Sequence, residues 1–450
     1  MKSRWKLTLV LFLACCSGCG VRTSSSDLPS ATVNASSPST PASPPESPVP
    51  SGIGTPGIGT PSGSFDDPSG VLPQPGASTI GPLELTGNSR FAFDLYARLR
   101  TQQSGNLFYS PQNISTALAL VYAGARGETA DQMARVLHFE PSSPETFAGD
   151  APSFGGLRAS LPGLELNVAN RVWGARSEAF HKEYVELLRK RFGAELATVD
   201  FLTQSEQVRQ EINAWTAEQT RDKIRDMIPP GLLDSSTRLV VSSAIYFKSD
   251  WRSKFDSALT TSLPFHVTAD EQIDVPMMQQ EGSFYTGRID GVQIIELPYS
   301  SGQQSMFVLL PEKVDGLSEL ESHLTVENVA KWTSGLRPAT VKLLLPKFTT
   351  TSTFSLAATL QSLGMSAAFQ AGQADFSGMT ASPGIFLSEA MHKAYVAVDE
   401  TGTEAAAATA VMMVGNPSAP PAFRADHPFV FLIRDKASNE VLFVGRMVRP

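Results

Sequence analysis

Beyond residue 19 the chain has no cysteine: Cys15, Cys16 and Cys19 are the only three among its 450 residues. No disulfide and no thiolate-ligated metal can staple the rest of the chain, so the fold must stand on packing. Excess positive charge is also missing. Lys and Arg number 36 against 44 Asp and Glu, a formal net charge of -8 with the signs interspersed, which leaves no basic stripe for nucleic acid. The histidines His138, His181, His266, His323, His392 and His427 are scattered singly, without metal-ligand spacing. The usual settings of a hydrolytic or phosphoryl-transfer centre are absent too: there is no Gly-x-Ser-x-Gly, no His-Glu-x-x-His, no Gly-x-x-x-x-Gly-Lys and no downstream cysteine nucleophile. A catalytic centre, a cofactor and a metal are therefore not expected.

What is present divides the chain into three parts. Lys2, Arg4 and Lys6 precede an apolar stretch from Leu7 to Ala14 and then Cys-Cys-Ser-Gly-Cys-Gly, the order of an export signal. The apolar run is too short to span a bilayer. A small residue before a cysteine resembles a bacterial lipoprotein processing site, with Cys19 after Ser17-Gly18 as the preferred lipidated residue and Cys15 after Leu13-Ala14 as its rival. Residues 1–18 then read as signal peptide. Residues 19–82 are rich in Ser, Pro, Gly and Thr and cannot bury enough apolar surface to order themselves. They read as a tether, with an end-to-end distance of about 40 Å. The expected location is extracytoplasmic, on a membrane, through the N-terminal lipid. Gly52-Ile-Gly-Thr-Pro-Gly57 matches a dinucleotide-binding pattern by letter only, since no strand precedes it.

Residues 83–450 read as one α+β domain. Phe91, Leu95 and Leu99 follow helical spacing, and further helices are expected over Ser115–Gly124, Thr129–Leu137, Lys182–Phe192 and Ser205–Arg221. Short apolar runs rich in branched and aromatic residues predict strands over Val240–Phe247, Met306–Leu310, Thr340–Leu345, Tyr395–Val398, Phe429–Ile433 and Val441–Val444. Helices thus gather early and strands late. After Tyr395–Val398 comes Asp399-Glu400-Thr401-Gly402-Thr403-Glu404-Ala405-Ala406-Ala407-Ala408-Thr409, whose alanines taken alone favour helix.

The whole domain resembles the serpin family of protease inhibitors, through separated motifs in family order. Asn106-Leu-Phe-Tyr-Ser-Pro111, Ile114-Ser-Thr-Ala117 and Gly124-Ala-Arg-Gly-Glu-Thr129 come first. Next are Ala244-Ile-Tyr-Phe-Lys248 with Trp251, Leu345-Pro-Lys-Phe348, Phe354 to Met365, Asp375-Phe-Ser-Gly378 and His392-Lys-Ala394. Asp426-His-Pro-Phe429 and Phe443-Val-Gly-Arg446 close the domain. The resemblance implies one dominant sheet, two smaller ones, eight or nine helices and an exposed reactive-centre loop. It implies a monomer whose partner is a target protease, serine or papain-like cysteine. That protease cleaves the loop and forms a covalent acyl complex, and the loop then inserts into the main sheet.

The resemblance assigns Glu400, Gly402, Thr403, Glu404, Ala405, Ala406, Ala407, Ala408 and Thr409 to the hinge of that loop. Alternate strand residues face opposite sides. With Glu404 in solvent, Thr403, Ala405, Ala407 and Thr409 would all face the interior, each small and uncharged. Gly402 would permit the turn where insertion starts. Trp251, Lys347 and Glu400 correspond to the cluster at the top of the main sheet. Ser110, Asn113, Ser243 and His392 correspond to the polar cluster under its centre. Asn113 and Ser243 depart from the family, which usually has serine and asparagine there, so the hydrogen bond to His392 is expected to be rearranged. Family spacing from Glu400 puts the cleaved bond at Asn416-Pro417, whereas counting back from Pro428-Phe429 puts it one residue later. Proline obstructs most serine proteases at that place, and Met412, Met413, Val414 and Gly415 offer better bonds. With no Arg or Lys between Glu400 and Ala422, elastase-like or subtilisin-like targets are expected over trypsin-like ones. A serpin fold used only as a binding or carrier protein is the alternative.

Overall fold

The fold is known from a computed structural model, which describes residues 83, 86–139, 163–402 and 420–450. All of them fall in one compact unit, Pro73–Pro450. Among the described residues the helices are α1 (Gly87–Gln102), α2 (Pro111–Tyr122), α3 (Gly127–Leu137), α4 (Lys182–Leu187), α5 (Phe201–Gln219), α6 (Leu317–Ser322), α7 (Val326–Ser334) and α8 (Ala357–Ser362). A π turn over Leu188–Phe192 prolongs α4. The strands are β1 (Leu107–Tyr109), β2 (Leu164–Ala175), β3 (Leu196–Val199), β4 (Leu239–Ser249), β5 (Thr261–His266), β6 (Gln272–Ile289) and β7 (Val292–Pro298), then β8 (Gln304–Pro311), β9 (Arg337–Pro346), β10 (Phe348–Ser355), β11 (Leu387–Val398), β12 (Ala422–Arg424), β13 (Phe429–Asp435) and β14 (Val441–Met447).

Local chemistry sets the helix starts. Thr86 caps α1, its hydroxyl accepting from the Ser89 N–H at 3.2 Å, and Phe91, Leu95 and Leu99 point into the core. Helix α2 begins at Pro111, four residues before the expected Ser115. Ser110 is its cap, accepting from the Asn113 N–H at 3.1 Å, and proline suits the first helical position. Helix α5 likewise begins at Phe201 rather than Ser205, because the Asp200 carboxylate accepts from the Thr203 N–H at 3.0 Å.

The strands form two sheets. One has five strands in the order β10-β11-β4-β2-β3. The other has nine, running β1-β14-β13-β8-β7-β6-β9-β12 with β5 added on β6. The two smaller sheets implied by the resemblance are continuous, because β6 pairs in turn with β5, β9 and β7. Phe108 lies between the sheets, stacked on Phe443 at 5.1 Å.

The expected order of helices early and strands late needs correction, since β2 and β3 precede α5 while α6, α7 and α8 fall between late strands. Strand β11 also starts at Leu387, eight residues before the expected Tyr395. Its upstream half carries Glu389 and His392, polar residues that read as loop, yet both are buried. Strand β10, Phe-Thr-Thr-Thr-Ser-Thr-Phe-Ser, lacks an apolar run but alternates buried and exposed along its length.

Candidate functional site at the parallel seam

In the five-stranded sheet, β11 is antiparallel to β10 on one side and parallel to β4 on the other. The parallel seam runs from Leu387 opposite Leu239 to Tyr395 opposite Tyr246 and ends there. Above that level Val396–Val398 still pair with β10, and Phe247–Ser249 still pair with β2. The sheet is therefore split at its top between β4 and β11, and the chain leaving β11 runs into the split.

The turn at that exit is tight and specific. The Asp399 carboxylate accepts from the Thr401 N–H at 2.9 Å and the Thr401 hydroxyl at 2.7 Å. The Asp399 N–H donates to the Gly402 carbonyl at 2.8 Å. Gly402 has φ of 147°, and a Cβ there would stand 2.2 Å from the Ser249 carbonyl oxygen. No other residue fits without moving β4.

The cluster expected at the top of the sheet assembles around this turn. The indole of Trp251 donates to the Asp399 carbonyl at 2.9 Å, and its backbone N–H donates to the Thr401 carbonyl at 2.9 Å. The ring is buried, stacked on Tyr299 at 4.7 Å and edge-on to Phe255. Lys347 Nζ and Thr260 Oγ1 each donate to Glu400 at 2.9 Å, to opposite carboxylate oxygens. Partial burial pushes the Glu400 carboxyl up, but hydrogen bonds from Lys347, its own backbone and Thr260 together hold it below its usual range. Thr260, Asp399, Thr401 and Tyr299 were not foreseen. Only Asp-x-Thr-Gly, a turn signature, was there to be read.

Midway along the seam lies the second cluster. His392 on β11 is completely buried. Its Nε2 accepts from the Ser110 N–H at 3.1 Å. Since that nitrogen accepts, the neutral ring carries its proton on Nδ1, which faces Ser243 Oγ at 3.0 Å. Ser243 Oγ accepts from Asn113 Nδ2 at 2.9 Å, and Asn113 Oδ1 accepts from Asn170 Nδ2 at 2.7 Å. Burial lowers the His392 pKa from its ordinary 6.5 to about 3, so the cluster is uncharged. The contact across the seam is made through the Ser243 hydroxyl of β4, with Asn113 of α2 behind it. Asn170, absent from the expected set, extends the network to β2.

Thr403, Glu404, Ala405, Ala406, Ala407, Ala408 and Thr409 lie outside the described residues. So do Met412, Met413, Val414, Gly415, Asn416, Pro417, Cys15 and Cys19.

A seam between parallel strands, open at one end with the chain's exit beside the opening, belongs to a known class. Residues 86–450 match the family model for serpin (serine protease inhibitor). The leukocyte elastase inhibitor of Xenopus laevis is 39% identical over 374 residues, covering 80% of this chain and 98% of the relative. Human serpin B3 is 38% identical over 81% and 98%. Among solved structures, uncleaved ovalbumin superposes with a TM-score of 0.72 at 32% identity, covering 83% of this chain and all of the other. Human thyroxine-binding globulin in complex with its ligand superposes at 0.73, with 30% identity over 81% and 98%. The chain belongs to the serpin family and has the serpin fold.

Proposed function

We propose that the chain inhibits elastase-like or subtilisin-like serine proteases, or papain-like cysteine proteases, as a suicide substrate. The observation that carries the reading is the seam: β4 and β11 part above Tyr246 and Tyr395, and the chain leaves β11 through Gly402 beside Ser249 at that opening. A strand entering there would exchange one ladder, β4 on β11, for two. That is a gain on the order of ten backbone hydrogen bonds at about 0.5 to 1.5 kcal/mol net each, enough to drive the protease's displacement before the acyl-enzyme hydrolyses. On such a strand, with Glu404 in solvent, Thr403, Ala405, Ala407 and Thr409 would face inward, and each is small and uncharged. The lack of Arg and Lys between Glu400 and Ala422 and the relatives named leukocyte elastase inhibitor favour the target class.

The test is incubation with an elastase, a subtilisin, trypsin and papain. A complex stable in SDS with the first two supports trapping, and mass spectrometry of the released C-terminal peptide locates the cut among Met412, Met413, Val414, Gly415 and Asn416. Cleavage of the loop with no complex sinks the reading. That outcome would favour a binding or carrier protein, the reading supported by the Asn416-Pro417 pair and by the likeness to thyroxine-binding globulin.

We further propose that residues 1–18 direct export and that lipid on Cys19, or on Cys15, anchors the domain to a bacterial membrane through residues 19–82. The order of charge, apolar run and cysteine supports it. Labelling with a radioactive fatty acid should mark the chain, and Cys19→Ser should abolish the label. Label retained in that variant but lost in Cys15→Ser transfers the anchor to Cys15.

A further inference from the structure

On the far side of β4 from the seam, a cleft of about 620 Å³ opens between α2, β2, the end of the α4 π turn and α5. Its walls include Thr116, Leu120, Asn170, Arg171, Arg191 and Trp215. The Arg171 guanidinium sits beside a perpendicular pair of indoles, 5.1 Å from the ring centre of Trp173 and 4.9 Å from that of Trp215. Both distances lie in the cation–π range, and the two contacts hold the guanidinium in place. Its ion partner Glu195 is 71% exposed, against 19% for Arg171, so a competing anion meets a pre-set guanidinium and a carboxylate free to swing into water. Arg191 has no ion pair or hydrogen bond with any described residue, so the cleft presents two guanidinium groups to one carboxylate. Phe192 and Leu120 supply apolar wall.

The cleft between α6, α7 and the β6–β7 turn, about 370 Å³, offers no such surplus. There Asp290 is paired with Lys331, Glu319 with Lys313 and Glu312 with Arg288.

We propose that the cleft beside β2 binds a small organic carboxylate with an apolar ring, and that its occupancy is coupled to the β4/β11 seam. Arg171 and Arg191 would fork the carboxylate while the ring packs against Phe192 and Trp215. Two rigid elements carry the coupling. On β2, Asn170 directly precedes Arg171 and stands opposite Ser243, which stands opposite His392. On α2, Thr116 and Leu120 line the cleft while Asn113, one turn earlier, donates to Ser243. Asn170 Oδ1 is buried with no hydrogen-bond partner among the described residues, so this link is the network's least satisfied member and the one a small shift of β2 would rearrange first.

Titration calorimetry of the full chain with N-acetyl-L-phenylalanine and with its C-terminal amide tests the site. The acid should bind, with the amide about tenfold weaker or worse, and Arg191→Gln, an exposed substitution, should weaken the acid by about tenfold. No binding of the acid, equal affinity for acid and amide, or unchanged affinity in Arg191→Gln overturns the proposal. Hydrogen exchange of the amides from Met391 to Tyr395 tests the coupling independently of any inhibitory activity. At an acid concentration near the wild-type Kd their exchange should change measurably in the wild type, and in Arg191→Gln, largely empty at that concentration, it should change far less. Binding that leaves these amides unchanged overturns the coupling.

Discussion

The middle of the β4/β11 seam and its top are closed by opposite kinds of chemistry. At the middle, Ser110, Asn113, Ser243 and His392 form a dry, neutral network in which the imidazole is wholly buried. At the top, Lys347, Thr260 and Trp251 grip a turn through a carboxylate and backbone carbonyls near solvent. A buried network opposes opening strongly, because each separated donor or acceptor would lose its partner with no water to replace it. A half-exposed ion pair releases cheaply. A sheet built this way opens from the top downward, which suits a strand that enters beside Gly402.

The largest effect is expected at the buried end of the seam. His392→Ala should lower stability by about 3 to 4 kcal/mol, through the cavity and the unpaired Ser110 N–H, read as a drop in the urea midpoint; a change below about 1 kcal/mol would mean the middle is no tighter than the top. The same residue makes the wild type acid-sensitive. With its folded pKa depressed to about 3 from 6.5, the unfolded chain takes up a proton below about pH 6.5 while the folded protein refuses it. His392's contribution is therefore fully present above pH 6.5 and is lost as pH falls toward 3, by about 1.4 kcal/mol per unit. Comparing unfolding at pH 7 and pH 5, the wild type should lose more stability than His392→Ala; equal losses would refute the assignment.

Next in size, Gly402→Ala should cost about 2 to 3 kcal/mol, since its Cβ would meet the Ser249 carbonyl at 2.2 Å. Thermal unfolding reads the loss. Trp251→Phe keeps most of the apolar packing but removes the indole donor to Asp399, and should cost about 1 to 2 kcal/mol. Lys347→Met should cost least, about 0 to 1 kcal/mol, because the lysine is 46% exposed. Its clearer signature should be faster hydrogen exchange at Thr401 and Gly402, while the amides of Met391 to Ala394 stay unchanged. If the whole seam loosens together, top and middle are one unit.

Much of this site is legible in the sequence. Ser110, Asn113, Ser243, His392, Trp251, Lys347, Glu400 and Gly402 each sit in a recognisable local motif, and the structure brings them into two clusters. Thr260 and Asn170 lie in segments with no motif of their own and join their clusters only through contacts distant in sequence. Strands β2 and β10 escape for a related reason: their polar and threonine-rich residues break the apolar run by which a strand is recognised, and the neighbouring strands supply what propensity does not.

Composition and near neighbours alone dictate that no disulfide or cysteine-bound metal can hold residues 83–450 together, and that Phe91, Leu95 and Leu99 share one buried face of α1. Only the tertiary structure decided that β4 and β11 run side by side in parallel, that their ladder stops at Tyr246 and Tyr395, and that His392 is dry enough to stay neutral. Parallel pairing joins segments about 150 positions apart whose local patterns carry no record of each other, and the burial that sets a pKa is a property of everything packed around the ring.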